Sequence, residues 1–188
     1  EKLPFIASLK KPIYAETSHL FCKGFFEPLL DLGIVPDLVL LSRNRRKIAT
    51  SLFKLGTIPA RQEKALQFYL TPEDPGVQSH QEWRQWSDYQ LCYWYCLEIE
   101  RRQEVYGKRI QSLGGRVHAC DLDDINTVAG YQALVNGLDL KGPNLVNWLK
   151  FFKNRQKKAG NFDASKTNRD LPDDVEQQES EIDSLFTQ

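Results

Sequence analysis

An arginine and a serine eight residues apart form the pattern with the clearest chemical use in this chain. Arg43 follows the apolar run at residues 38–41, and Ser51 lies in the helical pattern that comes next. The first turn of such a helix has unpaired backbone N–H groups and the positive end of the helix dipole, so it favours anions. Residues 43–54 hold five basic side chains and no acidic one. We therefore predict an anion site that uses Arg43 and Ser51, against the simpler alternative of a basic surface helix.

A histidine and a glutamate follow a second short apolar run, further upstream. Residues 13–15 read Ile-Tyr-Ala after Pro12, and Glu16 and His19 come directly afterwards. Histidine, with an unperturbed pKa of about 6.5, is suited to removing a proton from a hydroxyl near neutral pH. A capping or packed role for His19 is the alternative interpretation.

A third strand pattern, at residues 116–120, follows the Gly114-Gly115 break and leads into Asp121 and a helical pattern ending near Leu138. We predict a three-layer α/β domain whose parallel sheet has strands at 12–15, 37–41 and 116–120, with helices on both faces. Ligands bind at the carboxyl ends of parallel strands. The sheet would therefore bring His19, Arg43 and the Asp121 loop to one edge.

These patterns, in this order, resemble the sulfotransferases that use 3′-phosphoadenosine 5′-phosphosulfate, over about residues 10–155. In that family a strand leads into Arg-Asn-Pro-Lys-Asp, and its arginine and a serine eight residues later hold the 3′-phosphate of the nucleotide. Arg43 and Ser51 match this pair, whereas Arg45-Arg46-Lys47 replaces Pro-Lys-Asp. The resemblance therefore implies that Arg43 and Ser51 bind the nucleotide.

The upstream segment is similar to the family's Lys-Thr-His-Leu-Pro, whose histidine is the catalytic base. His19 stands 24 residues before Arg43, close to the family spacing, although Thr17 replaces the lysine. Glu16 is similar to the acidic residue that carbohydrate sulfotransferases place at this strand end. The resemblance implies that His19 is the base and that Glu16 orients or replaces it. The Asp121 unit and Gly137-Leu138 are similar to the strand-Glu-Asp-Leu-helix unit of the family.

The resemblance implies a P-loop NTPase-like sulfotransferase fold and transfer of a sulfuryl group to a hydroxyl of a glycan, lipid or small molecule, without a metal. The family's first strand and its lysine-bearing phosphate loop have no counterpart before Pro12, and the chain contains no methionine. We therefore expect an N-terminal segment to be missing and this fragment to be inactive alone. A non-catalytic nucleotide-binding relative and another P-loop phosphotransferase are the alternatives.

Composition limits the class of protein. The 188 residues carry 25 basic and 25 acidic side chains, which argues against a general nucleic-acid binder. There is no apolar run of about 18 residues, so we expect no transmembrane helix. We expect a cytoplasmic protein, with homodimerisation left open. Cys92 and Cys96 are one helical turn apart and could contact a metal, but packed thiols are the favoured interpretation.

The remaining sequence predicts one domain over residues 1–162 and a disordered acidic tail over 163–188. Residues 56–76 indicate an irregular excursion with a short helix at 62–69. An aromatic-rich helix is predicted from Trp83 to Leu113, and its stripe of Trp86, Tyr89, Tyr93 and Leu97 is expected in the core, with an acceptor-pocket role kept for any exposed ring.

Overall fold

Two parallel strands and one long helix organise the part of the chain that the structure describes. This computed structural model describes residues 2–10, 13–142, 148, 150, 153 and 169–186. The helices and strands in chain order are α1 (Lys2–Ser8), α2 (Phe26–Asp31), β1 (Leu38–Ser42), α3 (Arg45–Leu55), α4 (Glu63–Phe68), α5 (Asp88–Ser112), β2 (Val117–Asp121), α6 (Leu122–Ile125), α7 (Val128–Gly137) and α8 (Val175–Phe186), with 3₁₀ turns at His19–Phe21 and Trp83–Gln85.

The strands β1 and β2 pair in parallel, with a register that runs from Leu38 beside Val117 to Ser42 beside Asp121. Helix α5 contacts one face of this pair, because Gly107 lets it approach: a Cβ there would lie 3.2 Å from the Leu40 side chain. Helix α7 packs on the opposite face at His118. The mixed α/β class and the parallel strands predicted at 37–41 and 116–120 are thus confirmed.

The strand predicted at residues 12–15 is wrong for the residues described there. Residues 13–18 form neither helix nor strand, and Ile13 and Tyr14 are exposed by 55% and 42%. A three-residue apolar run gains little from burial, and proline at its start cannot donate a ladder hydrogen bond. The sheet of the described residues therefore has two strands and not three.

Helix α3 begins and ends with clear caps. The Asn44 side chain accepts a hydrogen bond from the backbone N–H of Lys47 at 3.0 Å, which satisfies one free donor of the first turn. Gly56 ends the helix at φ 66°, in the left-handed region that glycine adopts without strain. Ala49 and Phe53 are buried on the side that packs against α5.

Helix α5 supplies more buried side chains to the core than any other described element. Its start is fixed by a capping box in which Ser87 and Gln90 exchange hydrogen bonds. Trp86, Tyr89 and Tyr93 are all less than 10% exposed, so the core interpretation of the aromatic stripe is confirmed and no ring of it is left to line an acceptor pocket. None of the helices in the described ranges is both long and apolar enough to cross a membrane.

The excursion between α3 and α5 contains the predicted short helix, as α4, and is tied to α5 by buried polar contacts. Arg102 donates to the Pro75 carbonyl oxygen at 2.8 Å, and Trp94 Nε1 donates to the Gln78 carbonyl oxygen at 2.8 Å. Arg102 also pairs with Glu98 at 2.8 Å, and the two residues are only 6% and 2% exposed. These contacts give the irregular segment a fixed path over α5.

The acidic tail differs from its prediction where the structure describes it. Residues 175–186 form α8, in which Ile182 is fully buried and the Phe186 ring meets the Trp86 ring edge-on at 6.0 Å. Val175, Ile182 and Phe186 follow helical spacing, so one apolar side faces the core while carboxylates flank it. The prediction of a disordered tail is therefore wrong for residues 175–186. It was based on the charge of the tail and did not consider the helical spacing of its apolar residues.

We predict that Ile182→Ala lowers the free energy of unfolding by about 2–5 kcal/mol, because it removes a fully buried side chain and leaves a cavity. Urea unfolding of the 188-residue chain measures the change. Ser180→Ala, at an exposed position of the same helix, serves as the control and should change stability by less than about 0.5 kcal/mol. Equal stability of Ile182→Ala and the parent chain would mean that α8 does not dock.

Candidate anion-binding site

Arg43 occupies the carboxyl end of β1, between the last paired residue, Ser42, and the N-cap of α3, Asn44. Its side chain is half-buried, and its Nε is a buried atom without a hydrogen-bond partner among the described residues. A buried donor of a charged group that lacks a partner costs about 1–3 kcal/mol or more. Such an atom calls for an acceptor, and a bound anion would supply one.

The carboxyl end of β2 lies beside this position. Ser42 Oγ donates to Asp121 Oδ2 at 3.4 Å, and Asp121 Oδ1 accepts from the backbone N–H of Asp123 at 2.8 Å, which starts α6. The strand register therefore brings Arg43 and the Asp121 loop to the carboxyl end of the same strand pair, as predicted for these two. The placement predicted for His19 at a strand end is wrong, because residues 13–18 form no strand.

Ser51 lies on α3 one turn after Lys47, so the two side chains are neighbours on one side of the helix. Ser51 is half-buried and Lys47 is exposed. The distance along the axis between them is roughly 6 Å, from a rise of about 1.5 Å per residue. A single ligand can contact the start of α3 and Ser51 only if it lies along this side of the helix.

Arg45 is the second basic residue of the junction between β1 and α3, and its side chain contacts carboxylates. Its Nη2 lies 2.7 Å from Glu100 Oε2, and its Nη1 lies 3.1 Å from Asp183 Oδ1 and 3.0 Å from the Tyr93 hydroxyl. Burial lowers the pKa of Arg45, but the hydrogen bonds to Glu100 and Tyr93 outweigh it and raise the pKa. Its donors are therefore directed at the protein and away from a ligand.

Arg46 is held by α8. It donates from Nε and Nη2 to Glu179 Oε2 at 2.9 and 2.6 Å, and its Nη1 lies 3.2 Å from Glu176. The Tyr89 hydroxyl donates to the other Glu179 oxygen at 2.7 Å. The sequence analysis missed these pairs, although the spacing of Glu176, Glu179 and Asp183 is the i, i+3 and i+4 pattern of one helix face.

The upstream residues lie on a separate segment. Glu16 is exposed and accepts a hydrogen bond from the Tyr14 hydroxyl at 2.7 Å. His19 begins a 3₁₀ turn capped by Ser18, and its side chain lies outside what the structure describes. This segment is anchored on α5, because Arg102 donates to the Cys22 carbonyl oxygen at 2.7 Å. The roles predicted for Glu16 and His19 stay predictions.

All four cysteines are free thiols, and Cys92 and Cys96 are buried in the core. Burial raises the pKa of Cys96 to about 12 and that of Cys22 to about 11. Within the described ranges, no group of three or more histidine, cysteine and acidic side chains is arranged to hold a metal ion. The packed-thiol interpretation of Cys92 and Cys96 agrees with this burial.

Comparison with known proteins identifies no relative: no family model matches the chain, and no curated protein or solved structure matches it significantly.

We predict that the protein loses stability as the pH rises above about 9. The thiols of Cys22 and Cys96 have raised pKa values in the folded chain, so the folded state keeps protons that the unfolded state releases above its ordinary thiol pKa of 9.0. Stability from this source is full below pH 9.0 and is lost towards about pH 11–12. Urea unfolding at about pH 8 and about pH 10.5 tests the sign. A free energy of unfolding that stays constant or rises would contradict it.

Proposed function

We propose that this chain belongs to a sulfotransferase that moves a sulfuryl group from 3′-phosphoadenosine 5′-phosphosulfate to a hydroxyl acceptor. The observation that carries the proposal is the buried Nε of Arg43, which has no hydrogen-bond partner in the part of the chain that the structure describes. Arg43 stands at the carboxyl end of β1, directly before a capped helix that bears Ser51. An unsatisfied cationic donor at the carboxyl end of a parallel strand fits a phosphate monoester.

The residues of the junction suit a 3′-phosphate. Arg43 offers charge-assisted hydrogen bonds, which are about twice as strong as neutral ones, and the Ser51 hydroxyl adds a further donor along α3. Arg45 and Arg46 are held by carboxylates, so the charge at the junction is limited to what one phosphate needs. When bound, the donor nucleotide supplies an activated sulfuryl group, and Arg43 and Ser51 would fix its position.

For the transfer step, a hydroxyl of the glycan, lipid or small-molecule acceptor must lose a proton. His19 would accept that proton, with Glu16 orienting the ring or replacing it as the base. In the sulfotransferases that the chain resembles, a lysine of the phosphate loop stabilises the leaving phosphate, and we assign that role to no residue of this chain.

The two alternative functions predict different nucleotide binding and turnover. A non-catalytic relative would bind 3′-phosphoadenosine 5′-phosphate and turn over no hydroxyl acceptor. Another P-loop phosphotransferase would bind adenosine 5′-phosphate and its 3′-phosphorylated form equally well. The buried Arg43 donor favours a ligand with a phosphate at this position over both a bare surface and a neutral sugar hydroxyl.

We predict that Arg43→Ala weakens binding of 3′-phosphoadenosine 5′-phosphate by about 1.5–3 kcal/mol, the range for a hydrogen bond to a charged group. Adenosine 5′-phosphate, which lacks the 3′-phosphate, should bind equally well before and after the change. Titration calorimetry of the full-length protein measures both affinities. Lys54→Ala, which removes a cation from the last turn of α3, is the matched control.

Equal losses for the two nucleotides would show that Arg43 supports the fold instead of reading the 3′-phosphate. If the parent chain itself binds neither nucleotide, or both with one affinity, the nucleotide assignment is wrong.

We predict that His19→Ala lowers turnover by about 10²–10⁴-fold while nucleotide affinity changes little, because a general base acts only in the chemical step. The acidic limb of the pH–rate profile should disappear with it. Transfer of labelled sulfuryl groups to hydroxyl acceptors by the full-length protein is the measurement. Glu16→Gln is the comparison: if it loses the rate and the acidic limb while His19→Ala keeps both, Glu16 is the base. Full turnover in both variants would contradict the assignment of this segment.

A further inference from the structure

We infer that Lys47 is the second cation that contacts the 3′-phosphate, alongside Arg43. The family pattern has an aspartate where this chain has Lys47, so the resemblance assigns the lysine no role. This inference rests on the proposed function, because it concerns the same nucleotide site. It follows from asking which of the clustered cations are still available to a ligand.

Arg45 and Arg46 are excluded by their partners. Arg45 contacts Glu100 and Asp183 at 2.7 and 3.1 Å, and Arg46 contacts Glu179 at 2.6 Å with two of its nitrogens engaged on that carboxylate. Turning either guanidinium towards a ligand would leave carboxylates without their counter-charge. For Glu179 this cost is large, because its side chain is only 8% exposed.

Lys47 is bound much more loosely. Its Nζ lies 3.6 Å from Asp123 Oδ2, beyond ordinary hydrogen-bond length, and the two side chains are 60% and 71% exposed. Exposed ion pairs of this kind contribute little, because water screens the charges and the long side chain loses entropy. The ammonium group can therefore leave Asp123 for a phosphate without leaving a buried charge unpaired.

The position of Lys47 is also suitable. It stands between Arg43 and Ser51 in sequence, one helical turn before the serine and on the same side of α3. A nucleotide whose 3′-phosphate contacts the end of β1, and which extends along α3 towards Ser51, would pass this side chain. Its backbone N–H is already used by the Asn44 cap, so the contribution comes from the ammonium group.

If Lys47 strengthens phosphate binding, Asp123 should weaken it. Its carboxylate competes with the phosphate for Lys47 and repels the incoming dianion. Removing the negative charge of Asp123 should improve binding, whereas removing the positive charge of Lys47 should weaken it. A purely structural ion pair predicts no such opposition, because either change would break the same contact.

The experiment compares Lys47→Ala, Lys47→Arg and Asp123→Asn with Lys54→Ala as the matched control, by calorimetric titration of the full-length protein. The two ligands are 3′-phosphoadenosine 5′-phosphate and adenosine 5′-phosphate, and thermal melting checks that each variant is folded. Lys47→Ala should bind the 3′-phosphorylated nucleotide about 3- to 10-fold more weakly, and Asp123→Asn about 2- to 5-fold more tightly. Lys47→Arg and Lys54→Ala should resemble the parent, and all variants should bind adenosine 5′-phosphate alike.

The two proposals can fail separately. A parent chain with no preference for the 3′-phosphorylated nucleotide would overturn the proposed function. A parent with that preference, combined with unchanged affinity in a folded Lys47→Ala, would overturn only the role of Lys47. Weaker binding in both Lys47→Ala and Asp123→Asn, or an equal loss for both nucleotides, would also overturn it, since the pair would then be structural.

Discussion

The fold depends on carboxylates that neutralise the adjacent positive charges at the start of α3. Three consecutive basic residues, Arg45 to Lys47, occupy the first turn, where the helix dipole is positive and cations are unfavourable by typically 0.3–1 kcal/mol each. No acidic side chain lies in that turn, so counter-charges must come from elsewhere in the chain. Glu100 of α5 and the acidic face of α8 supply them. The C-terminal helix is therefore an electrostatic partner of the strand-to-helix junction.

Helix α5 joins this electrostatic network to the core, because the same aromatic residues serve both. The Tyr89 ring is fully buried while its hydroxyl donates to Glu179, and the Tyr93 hydroxyl bridges Arg45 and Asp183. Docking of α8 thus satisfies the arginines and buries Ile182 in one step. Neither part works well alone, since the carboxylates need the arginines and the apolar side of α8 needs the core.

What the sequence could predict depended on whether an element is specified locally. Four elements were predicted correctly because their sequences show the spacing of apolar residues that a strand or a helix requires. They are the strands before Arg43 and after Gly115, the short helix near residue 65 and the aromatic stripe of α5. The apolar run at residues 13–15 pairs with neither strand of the sheet, and a local sequence pattern cannot show whether a pairing partner is present. The residues proposed for the anion site were chosen by type and spacing. Which of the neighbouring cations pair with carboxylates could be seen only from the packing of α8.

That division gives the junction a specific electrostatic character. Five free cations would attract any polyanion, but Arg45 and Arg46 are paired with carboxylates within the fold, and Lys47 lies 3.6 Å from Asp123. Burial strengthens a hydrogen bond from the Nε of Arg43 to a well-placed acceptor, because water does not screen it. For the same reason, burial makes this donor unfavourable when no acceptor is bound. An unsatisfied donor persists only where the surrounding structure enforces it, and here β1, the Asn44 cap and the docked α8 together fix the backbone on both sides of Arg43.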